Sequence, residues 1–124
     1  MNPDPWKLRI AGITGFLAVA LGAFGAHALH AKLEQMPNGL EIWRTATLYH
    51  LVHAVVLLVL AYAPNRQGAG WFRFGSFVGG IVVFSGSLYL LAVTQIRWLG
   101  AITPVGGALF LIGWCCLVIG AKRA

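Results

Sequence analysis

The stretch ATLYHLVHAVVLLVLAY, Ala46 to Tyr62, runs for seventeen residues without a charged side chain. That length is close to the minimum of about 17 apolar residues a helix needs to cross the hydrocarbon of a bilayer. Three more windows of similar character lie on either side of it, at Ile10 to Leu29, Phe74 to Val93 and Thr103 to Ala121. The whole chain of 124 residues is 59% hydrophobic and only 10% charged, a composition far from that of an ordinary soluble domain. These observations predict an all-α membrane protein, a single domain over residues 1–124 that folds as an antiparallel bundle of four transmembrane helices.

Nine Lys and Arg against three acids give a net charge of +6. Nucleic-acid binding would need a contiguous basic face, but here the basic residues stand in ones and twos beside apolar segments, so they read as a topology signal. With four spans, Lys7, Arg9, Arg66, Arg73, Lys122 and Arg123 share one side, and Lys32, Arg44 and Arg97 the other, partly offset by Glu34 and Glu41. The excess predicts a multi-pass protein of the cell inner membrane with both termini in the cytoplasm. Trp6, Trp71 and Trp98 fall near the expected membrane surfaces, where an aromatic belt belongs. The opening MNPDPWKLRI, followed by an apolar run and AHA, has the outline of a signal peptide, but three further spans follow, and retention as the first helix is the expectation. Cys115 and Cys116 are adjacent inside an apolar segment, which fits buried small side chains and neither a disulfide framework nor a zinc site.

MPNG, Met36 to Gly39, and APNRQGAG, Ala63 to Gly70, supply turns. Thr103 and Pro104 look like an N-cap and first-turn pair opening the fourth span. AHALHAKLEQ has no breaker before Pro37, so helix one is expected to continue beyond the membrane surface before the chain turns back. Inside lipid, small residues that let backbones approach are a main source of helix association. Ala11, Gly15, Ala18, Gly22 and Gly25 recur at steps of four and three, Gly106, Gly113 and Gly120 at steps of seven, and Gly75, Gly79, Ser76, Gly80 and Gly86 mark the third span. These stripes predict tight packing with little room along the bundle axis. Their spacing leaves open whether one of them serves a second copy, so it does not set the oligomeric state.

Buried polar side chains in this topology collect in the half of the membrane away from the termini: His27, Tyr49, His50, His53, Ser85, Ser87 and Tyr89, with Thr103 opening the fourth span. Polar groups in hydrocarbon are costly unless they find partners or mark function. A hydrogen-bonded cluster of His27, Tyr49, His53, Ser85, Ser87 and Tyr89 is expected there, acting as a plug or a pocket. LGAFGAH, TATLYHLVHA, FSGSLY and TPVGG, in that order, resemble the motifs of the small four-span membrane proteins classed as domain of unknown function 423, the YgdD-like family. The resemblance covers roughly Ile10 to Ala121 and implies a four-helix inner-membrane protein without implying an activity. The family often carries glutamine where this chain has His50, which makes His53 the better candidate of the pair.

Specific chemistries fare unevenly. Haem needs histidines on two helices at matching depth, whereas His27 differs from His50 and His53 by one or two turns. A zinc site has two neighbouring histidines but no buried acid or cysteine beside them, and a surface site from His27, His30 and Glu41 is the alternative. Proton-coupled export normally uses a carboxylate within a span, and none of the four windows holds one, leaving histidine as the titrating group. GxSxG is absent. No catalytic residue, cofactor or metal is assigned. Two classes remain: a membrane protein partner that docks on a larger assembly, and a binding protein for a lipid or quinone, with small-molecule, ion or proton transport as the wider alternative.

Overall fold

The computed structural model describes residues 2–64 and 70–121, and all regular structure within them is helical. Arg66, Lys122 and Arg123, three of the cations used to orient the chain, lie outside the described residues. Four helical spans are long and apolar enough to cross a membrane, as the windows of the sequence predict.

The first helix, α1, covers Pro5–Ala26. The Asp4 carboxylate accepts from the backbone N–H of Trp6 at 2.9 Å and Lys7 at 3.3 Å, and Pro5 takes the first helical position, where its missing N–H costs nothing. The Asp4 N–H donates to the Ala61 carbonyl at 2.8 Å and ties the start of the first span to the end of the second, the register of antiparallel neighbours. Lys7 is buried, its ammonium 4.9 Å from the Trp71 ring centre, a cation–π contact at the terminal end of the bundle.

The extension of helix one past the membrane surface does not occur. The chain leaves helical geometry at His27 (φ −121°, ψ −80°) and starts a separate short helix, α2, at His30–Gln35. Leu33 explains the break. It is fully buried with Trp43 and Ala92, and an unbroken helix would carry it about 10 Å beyond Ala26, out of reach of both. Asn38 then adopts the left-handed conformation (φ 55°) that its short polar side chain tolerates, and Gly39 passes so close to the Leu33 carbonyl that a Cβ would not fit.

The second span, α3, covers Gly39–Tyr62 and begins seven residues before the apolar window. Glu41 and Arg44 ended that window in the sequence, but both are exposed while Trp43 and Ala46 are buried, so the charges cost the helix nothing. The third span consists of α4 (Gly70–Gly80), a π-helical turn (Ile81–Ser85) and α5 (Gly86–Thr94). Gln95 ends it in the left-handed conformation (φ 57°). The fourth, α6, covers Leu99–Ala121. Thr103 and Pro104 therefore lie inside α6 and do not open it, a correction to the sequence reading. The start of α6 is made instead by the N–H groups of Leu99, Gly100 and Ala101, which reach back to the carbonyls of Ile96, Arg97 and Trp98 at 3.2, 3.0 and 3.0 Å.

Helices α3 and α4–α5 form the centre, with α1 packed along α3 and α6 along the third span. The burial follows that order: 39% of the apolar window is buried in each central span and 17% in each flanking one. Phe74, Phe77, Leu57 and Phe110 build the core toward the terminal end, and Leu33, Trp43 and Ala92 the core at the opposite end. A Cβ at Gly106 would stand 2.7 Å from the Phe84 Cα, and one at Gly113 2.7 Å from the Phe77 ring, so α6 meets the third span at backbone distance. Gly79 faces Leu109, Gly22 faces Thr47, and Gly25 accommodates the Trp43 ring. Gly15 and Gly86, in contrast, have no neighbouring atom within 4 Å of where a Cβ would be.

Candidate functional site

Helix α3 points the polar residues of the site toward two different neighbours, and the π turn decides which residues of the third span meet them. A π turn holds one residue more than an α turn and so rotates everything after it by about 100°. Ser85 ends that turn, buried, and donates its hydroxyl to the Ala46 carbonyl of α3 at 2.8 Å. Four residues on, Tyr89 lies beside Trp43, ring centres 4.7 Å apart, and its hydroxyl meets His50 Nδ1 at 2.9 Å.

His50 is 4% exposed and sits where α1, α3 and α5 converge: Tyr89 on one side and the backbone of Thr14 on the other. Thr47, one turn earlier, donates to the Trp43 carbonyl at 3.0 Å and also approaches the Tyr89 hydroxyl. Trp43 closes this group by donating its indole N–H to the Leu21 carbonyl of α1 at 2.8 Å. Every donor here has an acceptor within the protein, which is what a polar group in hydrocarbon requires.

His53, 5% exposed, is one turn further along and about 60° round the helix, which turns it toward α6. Its Nδ1 lies 2.7 Å from the Tyr49 carbonyl and its Nε2 3.2 Å from the Trp114 indole nitrogen. A carbonyl only accepts and an indole N–H only donates, so the proton is on Nδ1 and the Nε2 lone pair points at Trp114. The ring stacks on Phe110 with centres 3.8 Å apart and planes 11° from parallel. Ser87 and Thr103 form a third, separate link, a hydroxyl pair 2.6 Å apart that joins α5 to α6.

The expected single cluster is thus divided. Tyr89 bonds to His50 rather than His53, His27 is exposed at the end of α1, and Tyr49 is 41% exposed on the outer side of His53. His50 and His53 share no open coordination position, and His53 has no lone pair left for a ligand. Among the described residues no three His, Cys, Asp or Glu side chains come together, so His27, His30 and Glu41 do not assemble the surface metal site considered from the sequence. Trp43 and Trp114 are not among the residues that the sequence singles out. For Trp114 a signal was available, since an indole N–H within an apolar span needs an acceptor; Trp43 stands between Glu41 and Arg44, outside the apolar window, and carries no such mark.

Beyond His53 a groove of about 460 Å³ opens between α3 and α6. Tyr49, Phe84, Phe110 and Trp114 form its aromatic walls, and Pro104, Gly107 and Ala108 its rim on α6. The Tyr49 hydroxyl has no hydrogen-bond partner among the described residues.

The profile of the family described as "Protein of unknown function (DUF423)" matches residues 21–107. The chain belongs to this family. The UPF0382 membrane protein YwdK of Bacillus subtilis is 45% identical over 92% of this chain and 94% of its own length, and the UPF0382 inner membrane protein YgdD of Escherichia coli 44% identical over 95% and 90%. A UPF0382 membrane protein of Staphylococcus epidermidis is 48% identical over 92% and 93%. No solved structure matches the chain. The DUF423 profile ends within α6, so it includes Trp43, His50, His53 and Tyr89 while Phe110 and Trp114 lie beyond it.

Proposed function

We propose that this DUF423 protein is a non-catalytic binding protein of the inner membrane, taking up an apolar molecule with a hydrogen-bonding head from the lipid phase into the groove between α3 and α6. The observation that carries this reading is the Tyr49 hydroxyl, unpartnered among the described residues, on an otherwise aromatic wall that opens sideways to lipid. A carbonyl or hydroxyl on the ligand would accept from or donate to Tyr49, and Phe84, Phe110 and Trp114 suit a flat ring or an unsaturated tail such as a quinone or lipid provides. The histidines act as support: His53 fixes Trp114 and Phe110, and His50 locks α3 to α5.

The test is to extract and identify molecules retained after purification in mild detergent. An apolar species with a carbonyl or hydroxyl head should accompany the unaltered protein, and Ala108→Trp, which fills the groove from an exposed position, should abolish it. Tyr49→Phe should lower retention about fivefold, the equivalent of one hydrogen bond. Equal retention by the Ala108→Trp protein would overturn the reading.

A further inference from the structure

The opposite face of α3 carries a second groove, and its chemistry differs from that of the first. Successive residues on a helix turn by about 100°. Arg44, Thr47, Leu48 and Leu51 consequently face almost directly away from Tyr49 and His53. There they meet Gly22, Gly25 and Ala26, the small residues at the end of α1, and enclose a cavity of about 320 Å³.

The placement of charge along this groove is ordered. Arg44 is its one charged lining residue, and it lies about 8 Å from the start of α3, two residues before the apolar window that begins at Ala46. From Leu40 to Leu51 the lining extends about 16 Å, roughly one leaflet of a hydrocarbon core about 30 Å thick. Arg44 is exposed and makes no ion pair among the described residues. Glu41, one turn earlier, is also exposed and is not part of the lining. An exposed cation near the mouth of this lining, with about 10 Å of apolar channel continuing past it to Leu51, has the complement of an anionic phospholipid: phosphate on Arg44, the upper part of one acyl chain between the helices.

We infer that the groove between α1 and α3 is a binding site for an anionic phospholipid, with the Arg44 guanidinium on the phosphate and the chain lying over Gly22, Gly25 and Ala26. Arginine suits this role because its planar fork can donate two parallel hydrogen bonds to phosphate oxygens. The site does not depend on the Tyr49 groove, because the two share no lining residue.

Native mass spectrometry of the full chain in mixed micelles of phosphatidylglycerol and phosphatidylcholine tests the inference. The unaltered protein should retain phosphatidylglycerol in preference to phosphatidylcholine, and Arg44→Gln should reduce that preference about fivefold, as expected for one arginine at an anionic surface. Arg97→Gln, at the same end of the molecule and exposed, should leave the preference intact, while Ala26→Trp, which keeps Arg44 but fills the channel, should remove it. A preference that survives Arg44→Gln, or one lost equally through Arg97→Gln, would overturn the site and reduce the effect to general surface charge.

Discussion

His53 is held in one tautomer by two partners that cannot exchange roles, the Tyr49 carbonyl and the Trp114 indole, and its ring fills the space over Phe110. His53→Ala would open that space and leave the Trp114 N–H without an acceptor, a loss of about 2–4 kcal/mol by the usual cost of truncating a packed side chain beside an unpaired donor. His50→Gln keeps a polar group that can still pair with Tyr89, and Tyr89→Phe removes one interhelical hydrogen bond; each should cost about 0.6–1.7 kcal/mol, the range seen for such bonds in membranes. Unfolding of the three variants in mixed detergent micelles should give His53→Ala the largest loss, and a smaller loss there than for Tyr89→Phe would mean that the Trp114 contact contributes little. That the two histidines need partners was legible in the sequence, because they interrupt an apolar window. Which partners they find was not, since Trp114 is sixty-one residues away and Tyr89 reaches His50 only through the phase shift of the π turn.

Helices are read from apolar windows, and the four spans were legible on that basis; their ends and irregularities depend on contacts between spans. Nothing in IVVFS marks Ile81–Ser85 as a π turn, and nothing in AHALHAKLEQ breaks the helix at His27 locally. Burial of Leu33 against Trp43 and Ala92 does so from a distance. The glycine stripes show the same division. Gly106 touches the Phe84 backbone, whereas Gly15, equally regular in its spacing, faces open space. Gly106→Ala should therefore force α6 away from the third span at a cost of about 1–3 kcal/mol, the usual penalty of overpacking. Gly15→Ala should stabilise the protein by about 0.5–1 kcal/mol, because alanine is the better helix former where no neighbour objects. Thermal unfolding of the two variants measures both, and destabilisation by Gly15→Ala would show that this face of α1 packs on something beyond its own chain.

At the scale of the molecule, two more deeply buried central helices are flanked by two that remain mostly exposed, and the cations of the sequence divide unequally between the two sides of a four-span topology. Among the described residues Lys7, Arg9 and Arg73 belong to the terminal end, and Lys32, Arg44 and Arg97 to the other together with Glu34 and Glu41; the sequence adds Arg66, Lys122 and Arg123 to the cations of the second connection and the C-terminal segment. Cations near the ends of spans are retained in the cytoplasm during insertion, so we expect both termini to face inward and α2 outward. In a background where Cys115 and Cys116 are alanine, Gln35→Cys should react with a membrane-impermeant maleimide added to intact cells with the outer barrier opened. Asn2→Cys should react only after the inner membrane is breached. The orientation also fixes the leaflets of the two grooves, since Arg44 lies near the start of α3 and Tyr49 less than two turns further along. Labelling of Asn2→Cys before permeabilisation would invert the molecule and move the Arg44 groove to the cytoplasmic leaflet. The α1–α3 groove would then draw on the inner lipids, and Arg44→Gln would have to be assayed against the anionic species of that leaflet.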